Sequence, residues 1–354
     1  MQKSKILIAM SGGVDSSVAA LLLKQSGADC VGATMQLFPP SLLGLDALPY
    51  DDVGDAKRIA ESMGIPFYAL ELSKEFRTHV IDYFVNTYLA GATPNPCVEC
   101  NRTLKFGALL SEARALGCDK IATGHYARIT QDANGRWLVK KAADATKDQT
   151  YVLWQLSQDQ LAHTLLPLGD YTKDEIRKIA EANGFCNAHR RDSQDVCFIP
   201  DGDYVGFIER YTQKSFAEGD FVDLDGNVLG KHNGMIRYTV GQRKGLGIAF
   251  GKPTYVCAKC AKTNTVTLGD NSDLFRNELT AHSINLIALD RLDQPMRVQA
   301  KVRYAASPAW ATVTQTDDDT LHLIFDEPQR AICPGQSVVL YDKDTLIGGG
   351  IIDG

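Results

Sequence analysis

No apolar run in the 354-residue chain approaches the ~20 residues that a membrane-spanning helix needs. Lys3 and Lys5 precede only a short apolar run without a cleavage pattern, so a cytoplasmic chain without membrane contact is expected. Excess basic charge is missing as well: Lys and Arg total 37 against 43 Asp and Glu, a formal charge of −6. That balance argues against a uniformly basic surface for a polyanion. Local clusters at Arg102/Lys105, Lys140-Lys141, His189–Arg191, Arg237, Arg243-Lys244 and Lys301/Arg303 could still be gathered onto one face by folding. Repeats and low-complexity linkers are absent. Histidine is scarce, and His79, His163, His232, His282 and His322 have no companion at metal or triad spacing, which reads as surface or satisfied core.

Cysteine is plentiful, with nine in the chain. In a cytoplasmic protein these are expected to be thiols. Cys30, Cys118, Cys186 and Cys333 sit in apolar or helix-end contexts and read as small packing residues. Cys257 and Cys260 read as decoration on an exposed hairpin. Their distance from Cys97 and Cys100 far exceeds that between the halves of a compact zinc module, so no zinc site is expected.

The length exceeds the ~250–300 residues at which one core stops growing. Through the first 200 residues apolar strands (Ile6–Met10, Cys30–Leu37, Phe67–Leu70, Lys120–Thr123) alternate with helices at Ser16–Gln25, Asp52–Met63 and Lys105–Leu116. An α/β domain with a doubly wound parallel sheet follows, over 1–202. A small central domain is expected over 203–276. From 277 to 354, β-branched alternation broken by Asp, Gly and Pro turns predicts an all-β barrel.

The strongest chemical signal is Ser11-Gly12-Gly13-Val14-Asp15-Ser16-Ser17, placed between the first strand and the first helix. Glycines let backbone approach an anion, and the helix start supplies unpaired N–H groups and a favourable dipole. No lysine follows Gly13, so this is not a Walker A loop. Ser11, Ser16 and Ser17 are expected to add hydroxyl donors, and Asp15 to help hold magnesium. A second signal is the proline-bounded Thr93–Asn101 segment, which carries Cys97 and Cys100. A third is Asp192–Pro200, which carries Cys197. Both segments leave the same end of the α/β unit and could face each other.

The S-G-G-x-D-S pattern resembles the PP-loop of ATP pyrophosphatases, which cut ATP between its α and β phosphates. Thr93-Pro-Asn-Pro-x-x-x-Cys100-Asn, Thr123-Gly-His-Tyr-Ala-Arg128, Lys147-Asp148-Gln149, Asp192-Ser-x-x-x-Cys197-Phe-Ile, Thr239–Gly247, Arg303-Tyr304 and Pro334-Gly-Gln336-Ser occur in order. Together with that loop they resemble the bacterial tRNA-specific 2-thiouridylases over nearly the whole chain. The resemblance implies a HUP, or adenine-nucleotide-hydrolase-like, first domain. It also implies ATP-dependent adenylylation of O2 of the wobble uridine of tRNA, followed by sulfur transfer. ATP contacts are implied at Ala9, Met10, Ser11, Gly12, Gly13, Val14, Asp15, Ser16, Met35 and Gly124, with His125 supporting. The target base would meet Asn95, Pro96 and Cys97. Lys147, Asp148, Gln149, Arg303 and Tyr304 would meet tRNA, and Gln336 would approach the flipped nucleotide. Cys197 would carry a persulfide and Cys100 would be its partner thiol, the pair ending as a disulfide. Lysine, glutamine and glutamate tRNAs are the implied acceptors, and a cysteine desulfurase or sulfur-relay protein the implied donor.

Some family members have Asp where Cys97 stands. That leaves open a less favoured route in which Cys97, Cys100 and Cys197 ligate a [4Fe–4S] cluster. A different PP-loop ligase or amidotransferase, acting on a small carbonyl substrate, is the alternative function. It would have no use for Cys100 or Cys197.

Overall fold

Alternating burial in the first strand shows how the N-terminal layers are built. Ile6 and Ile8 face one side of the sheet and Leu7 the other, and all three are buried. A strand covered on both faces belongs to a parallel sheet flanked by helices. The computed structural model, which describes residues 4–44, 51–190, 196–248 and 251–353, contains that sheet. Its strands β1 (Lys5–Ala9), β2 (Asp29–Gln36), β3 (Phe67–Glu71), β4 (Lys120–Ala122) and β7 (Thr164–Leu165) lie in the order β3-β2-β1-β4-β7, all parallel. Helices α1 (Val14–Gln25) and α2 (Asp52–Ser62), with the helix Lys173–Ala182, cover the Ile6/Ile8 face. Leu109, Leu110 and Ala113 of the helix Leu109–Ala115 cover the Leu7 face.

One expected helix is wound differently. Lys105–Leu116 reads as a single α-helix by periodicity. The chain instead runs as an α-turn over Pro96–Cys100, a π-helix over Asn101–Ala108 and an α-helix over Leu109–Ala115. Single-residue periodicity does not distinguish i→i+5 from i→i+4 winding over so short a stretch.

The central segment holds a four-stranded sheet, β10-β11-β8-β9, from β8 (Gly219–Val222), β9 (Val228–His232), β10 (Tyr255–Cys260) and β11 (Thr265–Gly269). Its core is Phe221, Met235, Tyr238, Leu246, Val256, Val266 and Leu268. The Cys257/Cys260 segment is one arm of the β10–β11 hairpin, as its sequence suggests.

The C-terminal strands β12 (Phe275–Leu286), β13 (Met296–Lys301), β14 (Ala309–Gln315), β15 (Leu321–Arg330), β16 (Ser337–Asp342) and β17 (Thr345–Ile352) are antiparallel. Pairing of β12 with β17 closes them into a barrel. Closure removes the free edges that an open sheet would expose. An N-terminal hairpin, β5 (Arg128–Gln131) and β6 (Trp137–Lys140), joins this sheet through β6 and β17. Next to it, Trp154 is fully buried, and its indole N–H donates to Ser337 Oγ at 3.0 Å. Tyr151 donates to the Ser337 carbonyl at 2.8 Å. The barrel is therefore anchored to the α/β domain.

Candidate active site

The Ser11–Ser17 turn lies at the carboxyl end of β1, where parallel sheets bind ligands. Gly12 has φ +71, and a Cβ there would come 2.9 Å from the Asp52 carbonyl oxygen at the start of α2. Only glycine fits both demands. Gly124 carries a second constraint. A Cβ on it would sit 2.8 Å from the Ser16 nitrogen, so the 123–125 segment packs directly on the loop. No side chain caps the start of α1, which leaves its N-terminal amides for an anion.

The hydroxyls behave differently from the sequence expectation. Ser16 and Ser17 both donate to the Gly13 carbonyl, at 3.1 and 2.9 Å, and Ser16 Oγ accepts from the Ser11 amide. They stiffen the turn, while Ser11 itself is exposed. Met10 and Val14 are buried, so any nucleotide contact from them comes through backbone. Ala9 is half-buried at the end of β1, and Met35 is half-buried near the end of β2.

Asp15 has partners that its sequence does not announce. Lys173 Nζ lies 2.8 Å from each carboxylate oxygen, and the Tyr126 hydroxyl donates to Oδ1 at 2.8 Å. Lys173 is 5% exposed and stands in the first turn of its helix, where a cation opposes the helix dipole. A buried lysine in that disfavoured position was the one available clue to it. With an ammonium already on both oxygens, Asp15 does not fit a magnesium ligand in this arrangement.

Two further residues brace the loop from behind. Asn187 donates to the Gly12 carbonyl at 2.8 Å and to Ser17 Oγ at 3.0 Å, and Arg190 pairs with Asp52 at 2.7 Å. Asp192–Asp195 of the third motif lie outside the described residues.

The cysteines of the second and third motifs come together. Asn95 caps the short helix Pro96–Cys100 by accepting from the Val98 amide, and buried Pro96 opens it. Cys97 and Cys197 present surface to solvent, whereas Cys100 is buried. Protein packs around the remaining sides of all three. Burial is the leading cause that pushes the Cys100 thiol up to about 11 and the Cys197 thiol up to about 12. Cys97 is raised by the same cause. Cys197 is raised further by Cys100 and then Cys97, so the three sulfurs share one recess. A nearby cation, Lys105, acts on every one of them. Arg102 is held by Glu99.

His125 is buried at the floor. Its Nδ1 is 2.6 Å from Thr123 Oγ1 and its ring packs on Phe106 at 5.6 Å. Burial, then the Lys105 charge, hold it well below the usual histidine range, so it is neutral at pH 7.

On the barrel side, Gln336 Nε2 donates to the Thr93 and Pro94 carbonyls at 3.1 and 3.0 Å. Gln336 thus fixes the backbone just before Asn95. Asp148 accepts from the Ala142 amide and the Thr150 hydroxyl, and Gln149 Oε1 accepts from the Tyr126 amide. Those two side chains are structural anchors, which leaves half-buried Lys147 as the cation of that motif. Tyr304 is 47% exposed, its hydroxyl is 3.4 Å from the Asp148 carbonyl, and it feels the charge of Cys97. Arg303 is exposed beside it. Lys301 Nζ lies 5.6 Å from the Tyr304 ring centroid. An exposed aromatic next to cations is a platform suited to an unstacked base.

Among the described residues, no three His, Cys, Asp or Glu side chains converge closely enough to hold a metal ion. Cys186, expected to be buried, is exposed, while Cys30, Cys118 and Cys333 are buried. No helix among the described residues is long and apolar enough to cross a membrane.

Three family models match in sequence order: a tRNA methyl transferase HUP domain over residues 4–201, a tRNA methyl transferase PRC-barrel domain over 205–270, and an aminomethyltransferase beta-barrel domain over 276–352. A Clostridioides difficile protein described as tRNA-specific 2-thiouridylase MnmA is 51% identical over 353 residues, covering 99% of this chain and 98% of that protein. Relatives of the same description come from Acetivibrio thermocellus, 49% identical over 358 residues (99% of this chain, 100% of the relative), and Clostridium acetobutylicum, 51% identical over 352 residues (98% and 99%).

Proposed function

Because the chain belongs to the tRNA-specific 2-thiouridylase family and is an enzyme of tRNA 2-thiolation, we propose that its PP-loop and its cysteine recess carry out the two halves of that reaction in turn. The carrying observation is that Cys97, Cys100 and Cys197, about a hundred residues apart at the extremes, lie close enough for their charges to act on one another.

The chemistry needs both parts. O2 of uracil is a poor leaving group, so it first attacks the α-phosphorus of ATP, bound as its magnesium chelate, and pyrophosphate departs. The α1 amides and Gly12–Gly13 backbone hold the phosphates, and Lys173 supplies the cation that a Walker loop would carry within itself. Cys197, loaded as a persulfide by a cysteine desulfurase or relay protein, then adds its terminal sulfur to C2. AMP leaves with O2. Cys100 thiolate attacks Cys197 Sγ and breaks its bond to the transferred sulfur, which stays on the base as the thiocarbonyl. The two cysteines finish as a disulfide that a dithiol reduces. Extruding the wobble base costs little because the anticodon loop is single-stranded. Asn95, Pro96 and Cys97 would receive the base, and Lys147, Arg303 and Tyr304 would receive the surrounding RNA. Lysine, glutamine and glutamate tRNAs are the proposed acceptors, and the cytoplasm is the proposed compartment.

The test is anaerobic incubation with unmodified tRNA, magnesium–ATP, cysteine and a cysteine desulfurase, using protein prepared without iron. Digestion and mass spectrometry should find 2-thiouridine with equal AMP. Absence of thiolated base, while AMP still forms, would reject the persulfide route.

A further inference from the structure

Lys105 stands on the cysteine face because of the unusual winding of its helix. Five residues separate it from Cys100, and at 3.6 residues per turn they would sit about 140° apart around an α-helix. The Asn101–Ala108 segment is a π-helix, whose i→i+5 ladder stacks residues five apart on nearly the same face. The same turn places Phe106 against His125. Lys105 thus points its charge at the sulfur recess, where it acts on Cys97, Cys100, Cys197 and His125.

Among the described residues, the other charges that act on the recess are accounted for. Glu99 disfavours the Cys100 thiolate, but its carboxylate is bridged to Arg102. His125 is neutral, and Tyr304, near Cys97, is a protonated phenol. No carboxylate partner engages Lys105 among the described residues.

We propose that Lys105 is the cation that stabilises anionic sulfur during transfer: the Cys100 thiolate as it attacks, and the terminal sulfur of the Cys197 persulfide as it approaches the base. This rests on the reading that Cys197 carries sulfur. Cys100 is buried and Cys197 hemmed in, and burial disfavours both anions; the Lys105 charge offsets part of that penalty and would do so most where negative charge develops on sulfur during transfer.

The test compares wild type with Lys105→Met and Lys105→Arg. In the tRNA-free protein, iodoacetamide alkylation of Cys100 and Cys197 is followed by peptide mass spectrometry from pH 7.5 to 9.5. Lys105→Met should be alkylated about five- to tenfold more slowly at both sites, with its pH profile displaced upward, and Lys105→Arg should recover most of the rate. In a single turnover of pre-persulfidated enzyme, 2-thiouridine formation by Lys105→Met should fall about ten- to a hundredfold, while pyrophosphate release, which precedes sulfur attack, stays within about threefold of wild type. Unchanged alkylation, or equal loss of pyrophosphate release and 2-thiouridine, would overturn the proposal. If Lys105→Met does not fold, Lys105→Gln reads the same quantities. Should wild type fail to thiolate, the parent reading falls, while the alkylation comparison still decides the role of Lys105.

Discussion

Lys173 Nζ bridges both carboxylate oxygens of Asp15 at 2.8 Å, joining the start of one helix to the phosphate loop at the start of another. The pair brings a buried ammonium, which the loop sequence lacks, against the loop's one carboxylate. It also makes Asp15 a positioning group for that charge.

Lys173→Met should therefore damage both chemistry and fold. AMP formation is expected to fall about a hundredfold, the usual scale for losing one preorganised transition-state charge partner. Stability should drop by about 2 kcal/mol, less than the ~3–5 for a fully buried pair because Asp15 is 28% exposed. Pyrophosphate release and urea unfolding measure the two effects separately.

Gly124→Ala forces a methyl group to within 2.8 Å of the Ser16 nitrogen. Backbone must shift, at a cost of about 1–3 kcal/mol for overpacking. Since the displaced backbone is the phosphate cradle, ATP affinity measured by calorimetry should fall at least as sharply as stability.

Gln336→Ala removes two hydrogen bonds that hold the Thr93 and Pro94 carbonyls. Each contributes about 0.5–1.5 kcal/mol. The expected signature is a higher KM for tRNA with an unchanged KM for ATP, because the loop that frees itself carries Asn95, Pro96 and Cys97. A larger effect on ATP would show that Gln336 acts elsewhere.

The raised thiols dictate a pH response. Cys100 and Cys197 hold their protons until well above the usual thiol range, so sulfur transfer should accelerate as pH rises from 7 towards 9. For folding the sign is opposite. A thiol whose folded pKa exceeds its unfolded value of about 9 stabilises the native state below pH 9, and that contribution disappears as pH climbs through about 11 to about 12. Cys260 differs, because a hydrogen bond from the Thr263 side chain, and then one from its backbone, lower it. Timed alkylation at pH 7.5 should therefore label Cys260 before either recess cysteine.

The α/β layers were legible because each depends on local pattern. Burial of Ile6, Leu7 and Ile8 follows directly from a continuous apolar strand, and Gly12 from the need for a left-handed turn. Cys100 and Cys197 were legible as chemistry because prolines bound both segments. Lys173, Asn187 and Arg190 were not, since each meets the loop across more than 130 residues of intervening chain, and no local periodicity encodes such a meeting. Lys105 escaped for another reason: α-helical spacing places it off the Cys100 face, and only the π-turn brings it back. The hydrogen bonds of Ser16 and Ser17 to the Gly13 carbonyl were not legible, because a hydroxyl near a glycine loop can bond the loop's own carbonyls as readily as a ligand.

The β5–β6 hairpin pairs with β17 across about 200 residues, Lys140 against Thr345 and Val139 against Leu346. Such a pairing carries a large loop-closure entropy and a high contact order, both of which slow folding. During synthesis the hairpin emerges long before its partner strand exists, so its outer edge waits unpaired until the last strand of the barrel leaves the ribosome. Nascent or truncated chains ending before Thr345 therefore expose a sheet edge open to intermolecular pairing, and forms that carry β17 should resist aggregation better than forms that lack it.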